Sequence, residues 1–305
     1  MSEPLAAPFF SVIIPTYNYA GYLDDAVKSV LRQEGDDFEI IIVDDGSTDR
    51  TPEAAKAVVD EHPCTVRYLR QDNAGPGAAR NHGVREAKGA FCLFLDADDR
   101  LLDGALATFH RVVSVYPEAG MVLAGHQTLH PDGRRREHPQ PPLSSDRRHN
   151  FVAYLRSRFG ISNGASVIAR QVFARFGFPE DIRNGEDVAI FAKILALYDC
   201  VSVPVAVLEV RKHDDSLRNR IDWILHSGDR VVEHLFDPSS LPHWALIYRR
   251  EFHARQLLSL FRSCYLAGRY VEARCYYHAA IRSTPRLLFN FSALRKYLRM
   301  LWRRL

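Results

Sequence analysis

A chain of 305 residues has room for one large core or two smaller ones, and its 47% hydrophobic and 25% charged residues are those of an ordinary globular protein. The formal net charge of +3 gives no reason to expect nucleic acid as a partner. Five scattered cysteines with no C-x-x-C pair argue against a disulfide framework or a zinc site and fit a reducing compartment. The start, MSEPLAAPFF, lacks the basic residues and long apolar run of a signal peptide, and no apolar stretch approaches the roughly 20 residues of a spanning helix. The expectation is a cytoplasmic chain whose contact with the inner face of the membrane, where it has one, is peripheral.

Strand and helix signals alternate over the first 125 residues. Phe9 to Pro15 is apolar apart from Ser11, as a strand buried on both faces would be. Leu23, Ala26, Val27, Val30 and Leu31 recur at helical spacing. Phe38 to Val43 predicts a second buried strand, and Thr51-Pro52 an N-cap followed by proline at the first helical position. Val66 to Leu69 is a short third strand and Ala90 to Leu95 a clear fourth. Parallel strands joined by crossover helices make a doubly wound α/β sheet. Residues 127–149, with four prolines and Arg134, Arg135 and Arg136, read as a polar, mobile loop. Residues 150–212 return to mixed α/β, and beyond about residue 220 the apolar spacing is helical.

Ligands of open α/β sheets bind outside the carboxyl ends of the strands. Three polar clusters follow apolar strands directly: Thr16-Tyr17-Asn18, Asp44-Asp45-Gly46-Ser47 and Asp96-Ala97-Asp98. Two carboxylates flanking one residue at a strand end suit a hard cation such as magnesium or manganese, which leaves positions open for phosphate. Tyr17 suits stacking on a base and Asp45 suits accepting a pyrimidine N–H. Plainer readings stand beside these: a solvated turn for Asp96 and Asp98, a rim aromatic for Tyr17, a turn-former for Asp45. Asn73 to Asn81 sets a glycine-rich turn before Arg80, whose guanidinium matches a phosphate or a base edge, or is simply a surface cation.

SVIIPTYN, IIIVDDGSTD, NAGPGAARNHG and FLDADD, in this order and spacing, resemble the nucleotide-binding half of a family 2 glycosyltransferase with the GT-A (nucleotide-diphospho-sugar transferase) fold, over roughly residues 9 to 215. The resemblance implies that Pro15, Thr16, Tyr17, Asn18, Asp45, Arg80 and Asn81 surround the nucleotide. Asp96 falls on the ribose or metal side and Asp98 on the metal. Asn184-Gly185-Glu186-Asp187, before VAIFAKILAL, resembles the family's Glu-Asp motif, which makes Asp187 the general base with Glu186 beside it and Gly185 near the donor. A carboxylate fixed there is suited to take the proton of an attacking hydroxyl; otherwise both acids merely favour a helix N-terminus. His213, in VRKHDDS, resembles a histidine near the diphosphate or metal, and Asn163-Gly164 is expected at the donor sugar.

Three regions are therefore expected: residues 1–125 for the nucleotide sugar, 126–215 for acceptor and catalysis, and a helical region over 216–305. The implied reaction is inverting transfer of a hexose or deoxyhexose from a nucleotide diphosphate to a saccharide or lipid-linked saccharide, with Mn²⁺ or Mg²⁺ as cofactor. Bacterial envelope glycans such as lipopolysaccharide core, and rhamnose from a dTDP donor, are the narrower expectations. A nucleotidyltransferase also uses paired aspartates on an α/β sheet, but carries a basic glycine-rich loop that PTYNYAGYL is not; a non-catalytic glycan- or partner-binding protein has no need of Asp96, Asp98 and Asp187 together.

The last segment has its own character. No acidic residue occurs from Arg274 to Leu305. Leu294, Tyr297, Leu298, Leu301, Trp302 and Leu305 project as one helical face, with Arg295, Lys296, Arg299, Arg303 and Arg304 largely elsewhere. Residues 294–305 thus suit an anionic membrane surface. Docking on the domain or on a second subunit explains the pattern equally, which leaves oligomerisation open. LFRSCYLAGRYVEARCYYHAAIRSTP resembles one tetratricopeptide-like hairpin.

Overall fold

The computed structural model describes residues 7–213 and 221–302. In chain order the elements are β1 (Phe10–Thr16), α1 (Ala20–Leu31), β2 (Phe38–Asp44), α2 (Thr51–Glu61), β3 (Val66–Arg70), α3 (Pro76–Glu86), β4 (Phe91–Phe94), β5 (Arg100–Leu101), α4 (Ala105–Val115), β6 (Met121–Leu129) and β7 (Arg135–His138). There follow α5 (Arg147–Leu155), β8 (Ser166–Ala169), α6 (Glu186–Leu197), β9 (Cys200–Arg211), α7 (Ile221–Leu235), α8 (His243–Leu246), α9 (Arg249–Leu266), α10 (Tyr270–Ser283) and α11 (Phe291–Trp302).

The described strands form one sheet in the order β3-β2-β1-β4-β8-β6-β9-β5, with β7 added to β6. The first four are parallel, in the register Ile13 beside Ile41 and Val12 beside Leu93. Right-handed crossovers put α1 and α2 on one face of this half and α3 on the other. Every residue of β2 is buried, and each fully buried isoleucine there contributes about 1.5–3 kcal/mol. The fold is thus the α/β sheet that the alternating signals predict. Its second half is mixed: β8 runs antiparallel to both β4 and β6, and β5 antiparallel to β9. The order reverses at β1, where two crossovers lead outward to β2 and β3 and the third returns past it to β4, so a crevice opens at the carboxyl ends of β1, β2 and β4.

Two local expectations are corrected. Residues 127–138 are a β-hairpin, not a loop: β7 pairs antiparallel with the second half of β6, Thr128 opposite Arg136. Of the arginines that made the segment look like loop, Arg134 pairs with Asp132 two residues before it, whereas Arg135 is held by a partner far away in sequence. Buried Glu209 on β9 accepts hydrogen bonds from Arg135 Nε at 2.9 Å and Gln127 Nε2 at 2.8 Å. Thr51, in turn, does not cap α2. Arg50 occupies the cap position, while the buried Thr51 hydroxyl accepts a hydrogen bond from the Tyr19 N–H at 3.0 Å and so ties the loop after β1 to the start of α2.

The helical region expected beyond residue 220 is present. Val231, Val232 and Leu235 of α7 bury against the main core, whereas Leu257, Phe261 and Cys264 of α9 belong to a second core with Ala273, Tyr277 and Ala280 of α10. The turn between α9 and α10 is short, as in an antiparallel helical pair. Among the described residues no helix is long and apolar enough to cross a membrane.

Candidate active site

The three sequence clusters at strand ends converge on one cavity of about 450 Å³. Pro15, Thr16 and Tyr17 enter from the end of β1, Asp45 from β2, and Asp96, Ala97 and Asp98 from β4. Arg80 reaches in from the first turns of α3, and Gly185, Glu186 and Asp187 from the start of α6. Gly185 sits at the N-cap of α6 with φ +84°, a left-handed conformation that a side chain would strain, and it turns the chain into the helix that presents both acids.

At one end Asp45 is buried and rigidly held. Its Oδ1 accepts hydrogen bonds from Gln71 Nε2 at 2.8 Å and Ala74 N at 2.9 Å, and its Oδ2 from Gly75 N at 2.8 Å. A carboxylate has about four lone-pair sites, so one acceptor position remains for a ligand N–H. Gly46 follows at φ +78°, and a Cβ there would lie 2.9 Å from Asn73 N, so the turn that aims Asp45 needs glycine.

In the centre lies a buried charge network. The guanidinium of Arg80 donates to Asp96 Oδ1 at 2.9 Å and to Glu186 Oε1, and it lies 5.5 Å from the Phe178 ring centre. Burial alone would make Arg80 easier to deprotonate, but Glu186, then Asp96 and Asp187, hold its charge firmly in place. The contact thus made joins the aspartates after β4 to the acids of α6. Asp187 follows Glu186 on the cavity wall: burial, and then the Glu186 charge, push its carboxyl up to about 7. Such a carboxyl is suited to exchange a proton near neutral pH.

Asp98 is raised as well, by burial first and by the Asp96 charge next, while its contact with His213 Nε2 at 2.8 Å pulls it back. His213 is held by stacking on Tyr22, with ring centres 5.1 Å apart, and its buried Nδ1 has no hydrogen-bond partner. Among the described residues no three carboxylates, imidazoles or thiols already surround a cation centre. Two mutually repelling aspartates beside an imidazole nevertheless fit a divalent ion that takes oxygen and nitrogen donors, completed by phosphate oxygens.

Four expected residues lie outside the cavity lining. Asn18, with φ 58°, accepts through Oδ1 from Thr48 N at 2.8 Å and Asp49 N at 3.2 Å, which pins the first two loops together. Asn81 pins the loop before α6, donating to Phe178 O at 2.9 Å and accepting from Phe178 N at 2.8 Å. Gly164 packs inward, where a Cβ would meet Leu208 Cδ1 at 2.6 Å, so only its neighbour Asn163 reaches the cavity. His213 borders it through Asp98. In VRKHDDS, Asp214, Asp215 and Ser216 lie outside the described residues.

Three lining residues, Tyr19, Arg183 and Trp223, are not singled out by the sequence. Arg183 donates to Asn73 Oδ1 at 2.9 Å and lies 5.7 Å from the Trp223 ring centre. Arg183 directly precedes the Asn-Gly-Glu-Asp motif, a local clue; Trp223, at the start of α7, has none.

Comparison with known proteins gives this geometry its family. Residues 11–175, more than half of the chain, match the model of glycosyl transferase family 2. An uncharacterized glycosyltransferase of Bacillus subtilis, EpsJ, is 30% identical over 189 residues, which are 59% of this chain and 54% of EpsJ. The GalNAc(5)-diNAcBac-PP-undecaprenol β-1,3-glucosyltransferase of Campylobacter jejuni is 40% identical over 102 residues, 33% of each chain. The chain spans only part of the curated relatives it matches, 30% of an uncharacterized glycosyltransferase of Rickettsia conorii for example. Among solved structures, S. aureus TarS 1-349 in complex with UDP-GlcNAc superposes with a TM-score of 0.67 at 18% identity over 95% of this chain and 88% of that one. The mannosyltransferase PcManGT of Pyrobaculum calidifontis, in complex with GDP-Man and Mn²⁺, reaches 0.55 at 19% identity over 97% of this chain and 88% of that one. With the fold matched almost end to end and the family model matched across the strands that build the cavity, this chain belongs to glycosyl transferase family 2.

Proposed function

We propose that this chain transfers a sugar from a nucleotide diphosphate to a hydroxyl of a saccharide acceptor, with inversion at the anomeric carbon. The observation that carries the reading is the cavity itself. Thr16 Oγ1, Asn163 Oδ1 and Arg80 Nε are buried polar atoms without partners, and all three belong to residues lining it. Leaving such atoms unpaired costs about 1–3 kcal/mol each, a cost that a polar ligand or the water it displaces would relieve.

In this reading Tyr17 and the open acceptor position of Asp45 hold the base, and the acids of α6 face the acceptor. The acceptor oxygen forms its bond to the anomeric carbon as the bond to the diphosphate oxygen breaks. Its proton passes to Asp187, and the nucleoside diphosphate leaves with the bonding pair. Asp98, with Asp96 and His213, would hold a divalent cation, Mn²⁺ or Mg²⁺, which supplies charge neutralisation for the departing diphosphate. Arg80 and Glu186 keep the two halves of the site in register.

The names of relatives support an envelope acceptor. One is a minor teichoic acid biosynthesis protein, GgaB of Bacillus subtilis, 27% identical over 199 residues, and the Campylobacter glucosyltransferase is named for a saccharide on an undecaprenyl diphosphate. We accordingly assign a saccharide or lipid-linked saccharide as acceptor and the cytoplasm, where nucleotide sugars are made, as the site of reaction. Rhamnosyl transfer from dTDP-rhamnose is the specific donor reading, and UDP- and GDP-sugars are its competitors.

Thermal unfolding with each nucleotide sugar, with and without Mn²⁺, tests the reading. A donor at 100 times its dissociation constant stabilises by about 2.7 kcal/mol. The expected result is one donor class that raises Tm by several degrees only when the cation is present; no shift with any donor contradicts it. Asp98→Ala is expected to abolish the cation-dependent part of that shift while the unliganded Tm stays within a few degrees. Calorimetry with the nucleoside diphosphate and Mn²⁺ measures the loss directly, and undiminished affinity removes Asp98 from the cation site.

A further inference from the structure

The terminal helix α11 has two apolar faces, and only one is used by the fold. Ala293 and Met300 are buried in the second core, and Tyr297 stacks on Tyr277 of α10 with ring centres 4.2 Å apart. This divides the single apolar face expected from the sequence, because stacking draws Tyr297 inward while Leu298 and Trp302 stay outside. Arg303, Arg304 and Leu305 lie outside the described residues.

The opposite face carries Phe291, Leu298 and Trp302 as one exposed stripe along the helix, with Leu294, half-buried against the second core, at its edge. With Tyr265 of α9 they line an open groove of about 790 Å³, in which Arg295 and Arg299 are the charged members. Trp302 is 82% exposed, Phe291 78%, and Phe289, just before the helix, 77%. A contiguous exposed apolar patch of this kind marks an interaction site.

Charge identifies the occupant. Arg286, Arg295 and Arg299 are exposed around the stripe, and the chain has no acidic residue from Arg274 onward to offset them. A second copy meeting this face across a two-fold axis would bring the same cations onto themselves. An anionic bilayer complements both features: aromatic rings settle at the headgroup level, leucines enter the acyl boundary, and arginines keep their heads at the phosphates. We propose that the outer face of α11, with the turn that precedes it, docks this chain on an anionic lipid surface. The site is separate from the sugar-transfer cavity, and a lipid-linked acceptor would give it a purpose.

The test is co-sedimentation of the full chain with vesicles of phosphatidylcholine alone and of phosphatidylcholine mixed with phosphatidylglycerol, at low and high salt. The chain is expected on the anionic vesicles only, and less of it at high salt. Two variants separate the contributions. Phe291→Ser with Leu298→Ser and Trp302→Ser removes the stripe from exposed positions, and Arg295→Ser with Arg299→Ser removes charge. Each is expected to weaken partitioning by about tenfold or more without altering the circular dichroism spectrum or donor-induced thermal shifts. Absence of the intact chain from anionic vesicles at low salt overturns the proposal, as does undiminished binding by both variants. A concentration-dependent dimer dissolved by the triple serine variant also overturns it, since a second copy would then own the face. Donor binding reads a different part of the molecule, so failure here leaves the transferase reading standing, and the reverse.

Discussion

Asp187→Asn is expected to lower turnover by about 10² to 10⁴, the usual worth of a positioned acid–base group, with donor affinity nearly unchanged. Asparagine keeps the size of the side chain but cannot take the acceptor's proton. In the proposed reading the base and cation contacts fall to Asp45, Asp96 and Asp98, on other elements. Loss at the chemical step without loss of ground-state binding lowers kcat and kcat/KM together. The same substitution carries a stability signature of opposite sense. Burial and Glu186 raise the Asp187 carboxyl from 3.8 to about 7, so the folded chain binds a proton there more tightly than the unfolded chain does. The stabilisation from that proton is complete below about 3.8 and is lost as pH rises through about 7. Asparagine carries no such penalty. Asp187→Asn is therefore expected to melt above the parent at pH 8, with the gap closing near pH 4. Turnover of the parent is expected to fall on the acid side of about 7, and a bound cation should move that limb to lower pH by favouring the carboxylate. Melting curves and rate profiles across this range check both halves; near-normal turnover in Asp187→Asn moves the base role to Glu186 or another carboxylate.

Arg80→Met should be the most damaging single change to the fold of the site. The Arg80 and Glu186 side chains are only 5% and 8% exposed, and methionine fills the space without the charge. Removing one member of a buried pair strands the other and costs about 3–5 kcal/mol. For a domain of this size that lowers Tm by on the order of 10 °C. Arg80→Met combined with Glu186→Gln should recover most of the loss, because the buried Glu186 charge is gone and Asp96, the other partner of Arg80, is 40% exposed and so reaches water. Denaturant titration of the single and double variants measures it, and a single variant as stable as the parent would show that Glu186 is neutral in the fold.

Much of this was legible in the sequence, for an identifiable reason. Runs such as FEIIIV admit few fates other than a strand buried on both faces, and polar residues placed directly after such strands must emerge at the sheet's carboxyl edge. That logic alone brings Thr16, Asp45, Asp96 and Asp98 to one edge of the sheet. It fails where a side chain's partner is distant. Arg135 looked like loop composition because Glu209, which holds it in β7, is 74 residues away. Arg80 read as a cation free for phosphate or base, whereas Glu186, 106 residues on, and Asp96 already hold it. Asn18 and Asn81 stand within motif segments yet spend their amides on loops. Trp223 reaches the cavity only because α7 packs across α6, which no local pattern encodes.

The proposed function requires this cavity to break the bond between a sugar's anomeric carbon and a nucleotide diphosphate. Nuclear magnetic resonance of the products formed from a panel of nucleotide sugars, with Mn²⁺ and a saccharide acceptor, tests it most directly. The expected products are a nucleoside diphosphate and a glycoside of inverted anomeric configuration, both formed far more slowly by Asp187→Asn. A nucleoside monophosphate or pyrophosphate instead, a retained anomeric configuration, or no turnover with any donor would contradict it.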